Sequence, residues 1–155
     1  MSERGSGINK DWVNAVLYDL LKVVYDGFGG ASKFRCCIVG RGLLKDLVEK
    51  LNLDFSNLAI PEAAKRVLEA LKAIGVIGGG DVALSDVVLD LRIHDCVHLP
   101  VQKRVKESKM PSFVCLCANL CLGLIEERFG LDTELIEINQ EGGTCHIRAM
   151  LFKWD

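Results

Sequence analysis

Apolar residues recur three and four apart in three stretches, the spacing of amphipathic helices. In the first, Trp12, Val13, Val16, Leu17, Leu20, Leu21 and Val24 follow Asp11, a candidate N-cap or first-turn carboxylate. Gly27-Phe28-Gly29-Gly30 ends or bends it. The second carries Ile38, Leu43, Leu44, Leu47, Val48 and Leu51 and closes at Asn52. Gly40 and Gly42 sit in its start. Either the helix begins near Arg41 after a turn, or the glycines allow close backbone packing or room for a ligand. In the third, Pro61 suits a first helical turn. Ile60, Ala63, Ala64, Val67, Leu68, Leu71 and Ile74 share one face, and Gly75 follows as a C-terminal cap.

After Gly78-Gly79-Gly80 the pattern changes to that of strands. Val82 to Leu84 and Val87 to Ile93 are aliphatic and β-branched, with Ser85-Asp86 between them as a turn. A basic stretch from Gln102 to Met110 reads as a loop. Pro111-Ser112 then opens a helix with Ser112 as N-cap, apolar almost all round from Phe113 to Ile125 and ended by Gly130. A helix with no polar face is buried on several sides. Two further strands, Glu134 to Asn139 and Cys145 to Trp154, are joined through Gln140-Glu141-Gly142-Gly143. In the first of them Ile136 and Ile138 mark the apolar face. The order predicts the α+β class: an antiparallel sheet of about four strands packed against a layer of helices, one of them central and buried. Residues 1–10 read as a flexible N-terminus and 11–155 as a single domain.

The bulk properties narrow the function. With 155 residues the chain is one domain long. A formal charge of −2 argues against a nucleic-acid binder working by bulk charge. No signal-peptide pattern is visible, and the longest apolar stretch is shorter than the roughly 17–25 residues of a membrane-spanning helix. A cytoplasmic protein is expected. No P-loop, GxGxxG or GxSxG motif occurs.

Cysteine is the unusual residue: seven, against three histidines. In a reducing compartment they do not imply disulfides. Cys117 and Cys121, i and i+4 in the apolar helix, read as core thiols, as do Cys36 and Cys37. Cys96, Cys115 and Cys145 fall at the ends of elements that the topology brings to one edge. They are open as metal ligands, as reactive groups or as packed thiols. His94 and His98 flank Cys96, and His146 follows Cys145. One of His94 and His98 is a reasonable ligand, but each taken singly reads first as a solvated loop histidine. On a helix, Cys115 and Cys117 would point about 200° apart.

From Val39-Gly40-Arg41, through Leu91 to Cys96, Pro111 to Cys115, and Leu135-Ile136-Glu137 to Cys145, the order of features resembles the 4-vinyl reductase (hydrocarbon-binding) domain family, related to TRAPP vesicle-tethering subunits. The resemblance covers residues 12–153. It implies an enclosed small apolar ligand, a homodimer formed through helices and, in some members, a Zn²⁺ site. Cys115, Glu137 and Cys145 match the implied Zn²⁺ ligands. Gln140 stands where the family pattern has a further cysteine, so Cys96, His98 or His146 would complete the set.

The expected function is a sensory module for a hydrophobic small molecule rather than an enzyme. Its pocket would be lined by Phe113, Val114, Cys117, Leu120, Cys121 and Leu124, with Zn²⁺ beside it and the first helix in the homodimer. Two alternatives are a metal- or thiol-dependent enzyme acting on a tetrapyrrole and a TRAPP-like scaffold acylated at Cys36 or Cys37.

Overall fold

The computed structural model describes residues 9–112 and 115–153, with 32–39 described by their backbone alone. The chain runs α1 (Lys10–Phe28), a short 3-10 turn (Gly29–Ala31), α2 (Ser32–Leu51), α3 (Ile60–Ala73), β1 (Gly79–Ser85), β2 (Val88–His94), α4 (Leu99–Glu107), α5 (Leu116–Phe129), β3 (Asp132–Glu141) and β4 (Thr144–Phe152). The four strands form one antiparallel sheet in the order β1-β2-β4-β3, and helices pack against it. The α+β expectation holds.

Period-two alternation sets which face of the sheet is buried. Leu89, Leu91 and Ile93 of β2 lie opposite Ala149, Ile147 and Cys145 of β4, and all six are buried. β3 departs from the sequence pattern. A register shift between Leu135 and Glu137 reverses the alternation, so Ile138 turns inward while Ile136 is left exposed.

α3 covers β1. Its first turn is held by Glu62, whose Oε2 accepts the Ala59 N–H at 2.7 Å. At the α3–β1 contact, a Cβ on Gly80 would come within 2.7 Å of Leu68 Cδ1 and 3.1 Å of the Arg92 carbonyl oxygen, so helix and strand pack closely there. α5 is the central helix, with every residue from Cys117 to Ile125 buried. α2 crosses it closely. A Cβ on Gly40 would lie 2.6 Å from the Asn119 carbonyl oxygen, so of the two readings of Gly40 the close approach is the one observed. α2 runs through both glycines instead of starting near Arg41.

Two element boundaries differ from expectation. The basic stretch is a helix, α4, with Pro100 in its first turn and Val101 and Val105 buried one turn apart. α5 starts later than Ser112 would have it. Cys115 is its N-cap, with extended backbone (φ −131°, ψ 112°). Phe113 and Val114 lie outside the described residues, as do the side chains of Cys36 and Cys37.

α1 and α4 form a second, smaller core from Tyr18, Leu21, Val101, Val105 and Met110. Arg104 lies 4.0 Å over the Tyr18 ring. Asn9 caps α1, accepting the Trp12 N–H at 3.0 Å, and Asp11 sits in the first turn. No helix among the described residues is long and apolar enough to cross a membrane.

Candidate functional site

β2 ends in a tight turn. Asp95 adopts φ +51°, its N–H donates to Gly143 O at 2.8 Å, and Val97 N–H donates to Val76 O at 2.9 Å. The Asp95 carboxylate fits because Gly78 and Gly143 lack side chains; a Cβ on either would come within 3.0 Å of it. This turn fixes Cys96 and His98 in front of the N-terminus of α5. Cys145, opposite Ile93, and Cys115, the α5 N-cap, face the same space.

The result is a narrow, partly enclosed chamber of about 20 Å³, roofed by Leu17 and Leu21 of α1 and walled by Cys96, His98, Cys115, Cys117, Cys145 and Gln102. A site needs roughly 10–15 Å³ to hold a water, so the chamber takes one molecule of about that size. Beside it lies an open apolar groove of about 310 Å³ between α2, α3 and α5. The groove shares His98, Leu116 and Cys117 with the chamber wall and adds Leu43, Leu47, Leu71, Ile74 and Leu120.

The thiols interact. Cys96 Sγ lies 3.8 Å from Cys117 Sγ and accepts the backbone N–H of His98 at 3.4 Å. Hydrogen bonding from Cys117 lowers Cys96 to about 7, and the same partner lowers Cys115. The hydrogen bonds with Cys115 and Cys96, together with burial, raise Cys117. Burial pushes Cys145 up to about 12 and also raises Cys121.

Asn14 determines the tautomer of His98. Its Nδ2 donates to Val97 O at 2.8 Å, so its Oδ1 is the acceptor facing His98 Nδ1 at 2.9 Å. Nδ1 therefore carries the proton. Burial lowers the His98 pKa, which keeps the ring neutral and leaves Nε2 as a bare acceptor.

Cys96, His98, Cys115 and Cys145 of the expected metal set do meet around the chamber. Glu137 and His146 do not. Glu137 lies 3.7 Å from Arg148, which also pairs with Asp90 at 3.3 Å, and His146 stands opposite Arg92 and Asn139. These side chains occupy the outer face, because alternation puts Cys145 and His146 on opposite sides of the sheet. His94 bonds Thr144 and Asp81.

Among the described residues no group of three or more His, Cys, Asp or Glu is placed to hold a metal ion. The Zn²⁺ expectation is corrected accordingly. Of the expected pocket residues, Cys117 and Leu120 line the groove. Cys121 is a core thiol donating to Ala64 O at 3.8 Å, and Leu124 is buried on the α2 side.

Asn14, Leu17 and Leu21 were not anticipated at the site, and Cys117 was not expected to contact Cys96. The helical argument separating Cys115 from Cys117 does not apply, because Cys115 is extended.

No family model and no curated protein matches the chain. Solved structures do. A point mutant of the T. Tengcongensis H-NOX is similar with a TM-score of 0.52 at 13% identity, over 95% of this chain and 75% of that one. A Cs H-NOX mutant with an unnatural amino acid gives 0.51 at 13%, over 96% and 78%. An oxygen-binding H-NOX domain related to soluble guanylate cyclases, in its oxygen complex, gives 0.50 at 12%, over 100% and 80%. Other similar structures come from work on heme distortion in that family. These neighbours overturn the resemblance to 4-vinyl reductase domains and TRAPP subunits. They also point to heme, not Zn²⁺, as the group this fold carries elsewhere. What they share with this chain is its fold.

Proposed function

We propose that residues 11–155 form one small-molecule-sensing module that binds its ligand without turning it over. The observation that carries this reading is the placement of the chamber under α1. Leu17 and Leu21 touch the enclosed space, while Trp12, Leu20 and Val23 on the opposite side of the same helix are exposed. A molecule entering the chamber acts directly on a helix whose other face is free to report it. α1 is held through a small core of its own, so its position is set by few contacts.

Heme fits the donors but not the space. Neutral His98, with Nε2 bare, and the neighbouring thiols are suitable iron ligands. Ligands of drug-like size need pockets of roughly 300–1,000 Å³. The chamber holds only about 20 Å³, and the groove of about 310 Å³ is open. No step is assigned to heme, and the ligand of the chamber is one of two or three heavy atoms.

A second copy of the chain covers the exposed stripe of α1. Trp12, Leu20 and Val23 give that contact its apolar surface, while Lys22 is paired with Asp26 on its own helix at 2.7 Å.

The test is amide hydrogen exchange with dioxygen, nitric oxide or hydrogen peroxide, each added alone. Altered exchange confined to α1, α4 and the first turn of α5 supports the reading. Unchanged exchange with all three overturns it. Hemin is the second probe. Binding of one equivalent, with a Soret band that disappears in His98→Ala, would overturn the assignment of a small ligand.

A further inference from the structure

The chamber wall contains a thiol pair already in contact. Cys96 lies in the turn leaving β2 and Cys117 in the first turn of α5, with their sulfurs 3.8 Å apart. A disulfide needs about 2.05 Å, so the two must close by less than 2 Å. Both sit at the ends of elements, where small shifts leave the sheet and the body of α5 in place. The space beside them holds one molecule of the size of water or peroxide.

We propose that Cys96 and Cys117 form a dithiol site that a hydroperoxide oxidises reversibly to an intramolecular disulfide. The proposal rests on the sensory reading in using the same chamber and names the class of molecule sensed. In the first step the Cys96 thiolate attacks one peroxide oxygen. An S–O bond forms, the O–O bond breaks, and the other oxygen leaves as hydroxide, which takes up a proton as water. In the second step Cys117 Sγ attacks the Cys96 sulfenic acid. The S–S bond forms, the S–O bond breaks, and a second water leaves with the Cys117 proton. In sum two thiols and one hydrogen peroxide give one disulfide and two waters. Two electrons pass from sulfur to oxygen, and an external dithiol returns them.

The roles of the two cysteines differ for physical reasons. Cys96 accepts the His98 backbone N–H at 3.4 Å and lies within hydrogen-bond reach of the Cys117 thiol, and both contacts favour its thiolate. Cys117 suits the resolving role by its position: its sulfur lies 3.8 Å from that of Cys96, and its proton passes to the departing sulfenic oxygen as the S–S bond forms. Cys121 faces away towards Ala64 and takes no part.

The test uses the whole purified chain. Hydrogen peroxide is added at a few equivalents, remaining thiols are alkylated, and tryptic peptides are mapped by mass. Arg92 and Lys103 bound one peptide carrying Cys96, and Lys109 and Arg128 bound another carrying Cys115, Cys117 and Cys121. The expected product joins these two peptides with the loss of two hydrogens. It forms in most of the wild type, persists in Cys121→Ala and Cys115→Ser, and falls to background in Cys96→Ser. It disappears on treatment with dithiothreitol. In Cys117→Ser the Cys96 sulfenic acid accumulates and is trapped by dimedone. Unchanged wild-type thiols, or a link within the second peptide only, overturn the proposal without recourse to any variant.

Failure of this site and failure of the sensory reading separate. A disulfide that forms while α1 exchange stays constant keeps the dithiol site and removes the sensing role. Thiols inert to peroxide, with α1 responding to nitric oxide, do the reverse.

Discussion

His98 donates from Nδ1 to Asn14 Oδ1 at 2.9 Å, and this bond ties α1 to the turn that precedes α4. Asn14 also donates to Val97 O, so one buried side chain satisfies two polar groups of that turn. Replacing it with alanine leaves the His98 N–H and the Val97 carbonyl without partners. Asn14→Ala is expected to cost about 2 kcal/mol in urea unfolding. The loss is expected first in α1, whose amides should exchange faster while those of β2 and β4 keep their protection. Equal acceleration in sheet and helix would contradict this role.

The same histidine predicts an acid limit. Burial holds its pKa below the ordinary 6.5, so the unfolded chain takes up the proton first. Its contribution is complete above pH 6.5 and is lost as the pH falls below that value. Melting temperatures between pH 7 and 5 should fall less in His98→Gln than in the wild type.

A contrast between two glycines of α2 tests the helix crossing. Gly40 packs on the backbone of Asn119, whereas a Cβ on Gly42 would meet nothing within 4 Å. Gly40→Ala is expected to cost about 2 kcal/mol through overpacking. Gly42→Ala should gain about 0.5–1 kcal/mol by reducing the freedom of the unfolded chain. Chemical denaturation of both variants gives the comparison directly.

The crossing also shows which features of the fold can be read from sequence. α3, both hairpins and the buried body of α5 rest on local pattern and turn residues, and these agree with the final structure, whereas the start of α5 lies at Cys115 and not at Ser112. Residues 99–107 do not reveal themselves as a helix. Only Val101 and Val105 mark their inner face, and the partners of those residues, Tyr18 and Leu21, lie far away in sequence. The bulge that turns Ile136 outward has no composition signal. At the site, the convergence of Cys96, Cys115 and Cys145 follows from topology. The inclusion of Cys117 does not, because it depends on the extended backbone of one residue, Cys115. Glu137 fails for the converse reason: the bulge pairs it with Arg148.

The buried thiols set an alkaline limit. Cys121 and Cys145 ionise in the folded chain only well above the ordinary 9.0, with Cys145 at about 12. Above pH 9 the unfolded chain loses these protons and the folded chain does not. Stability from these groups is therefore complete below pH 9 and declines as the pH rises towards 12. The fall in melting temperature between pH 9 and 11 should be smaller in Cys121→Ala than in the wild type.

If a second copy covers α1, charge on its exposed stripe should separate the pair. Leu20, 59% exposed, faces away from both cores. Leu20→Lys is expected to leave the melting temperature within about 2 °C and to halve the mass seen by light scattering, from twice 17.1 kDa to 17.1 kDa. A wild type that already scatters as a monomer would remove the second copy from the reading.

The register shift in β3 also affects how the molecule meets others. β3 and β1 are the two edges of the sheet, where unpaired backbone groups could recruit a strand from another molecule. The bulge breaks the regular spacing that such a strand would need, and exposed Asp132, Glu134 and Glu141 add like charges along the same edge. On β1 the exposed Asp81 guards the other edge. With both edges carrying charge and one of them a bulge, a further strand finds no regular template, and crowding or partial unfolding should not readily convert this chain into a fibre.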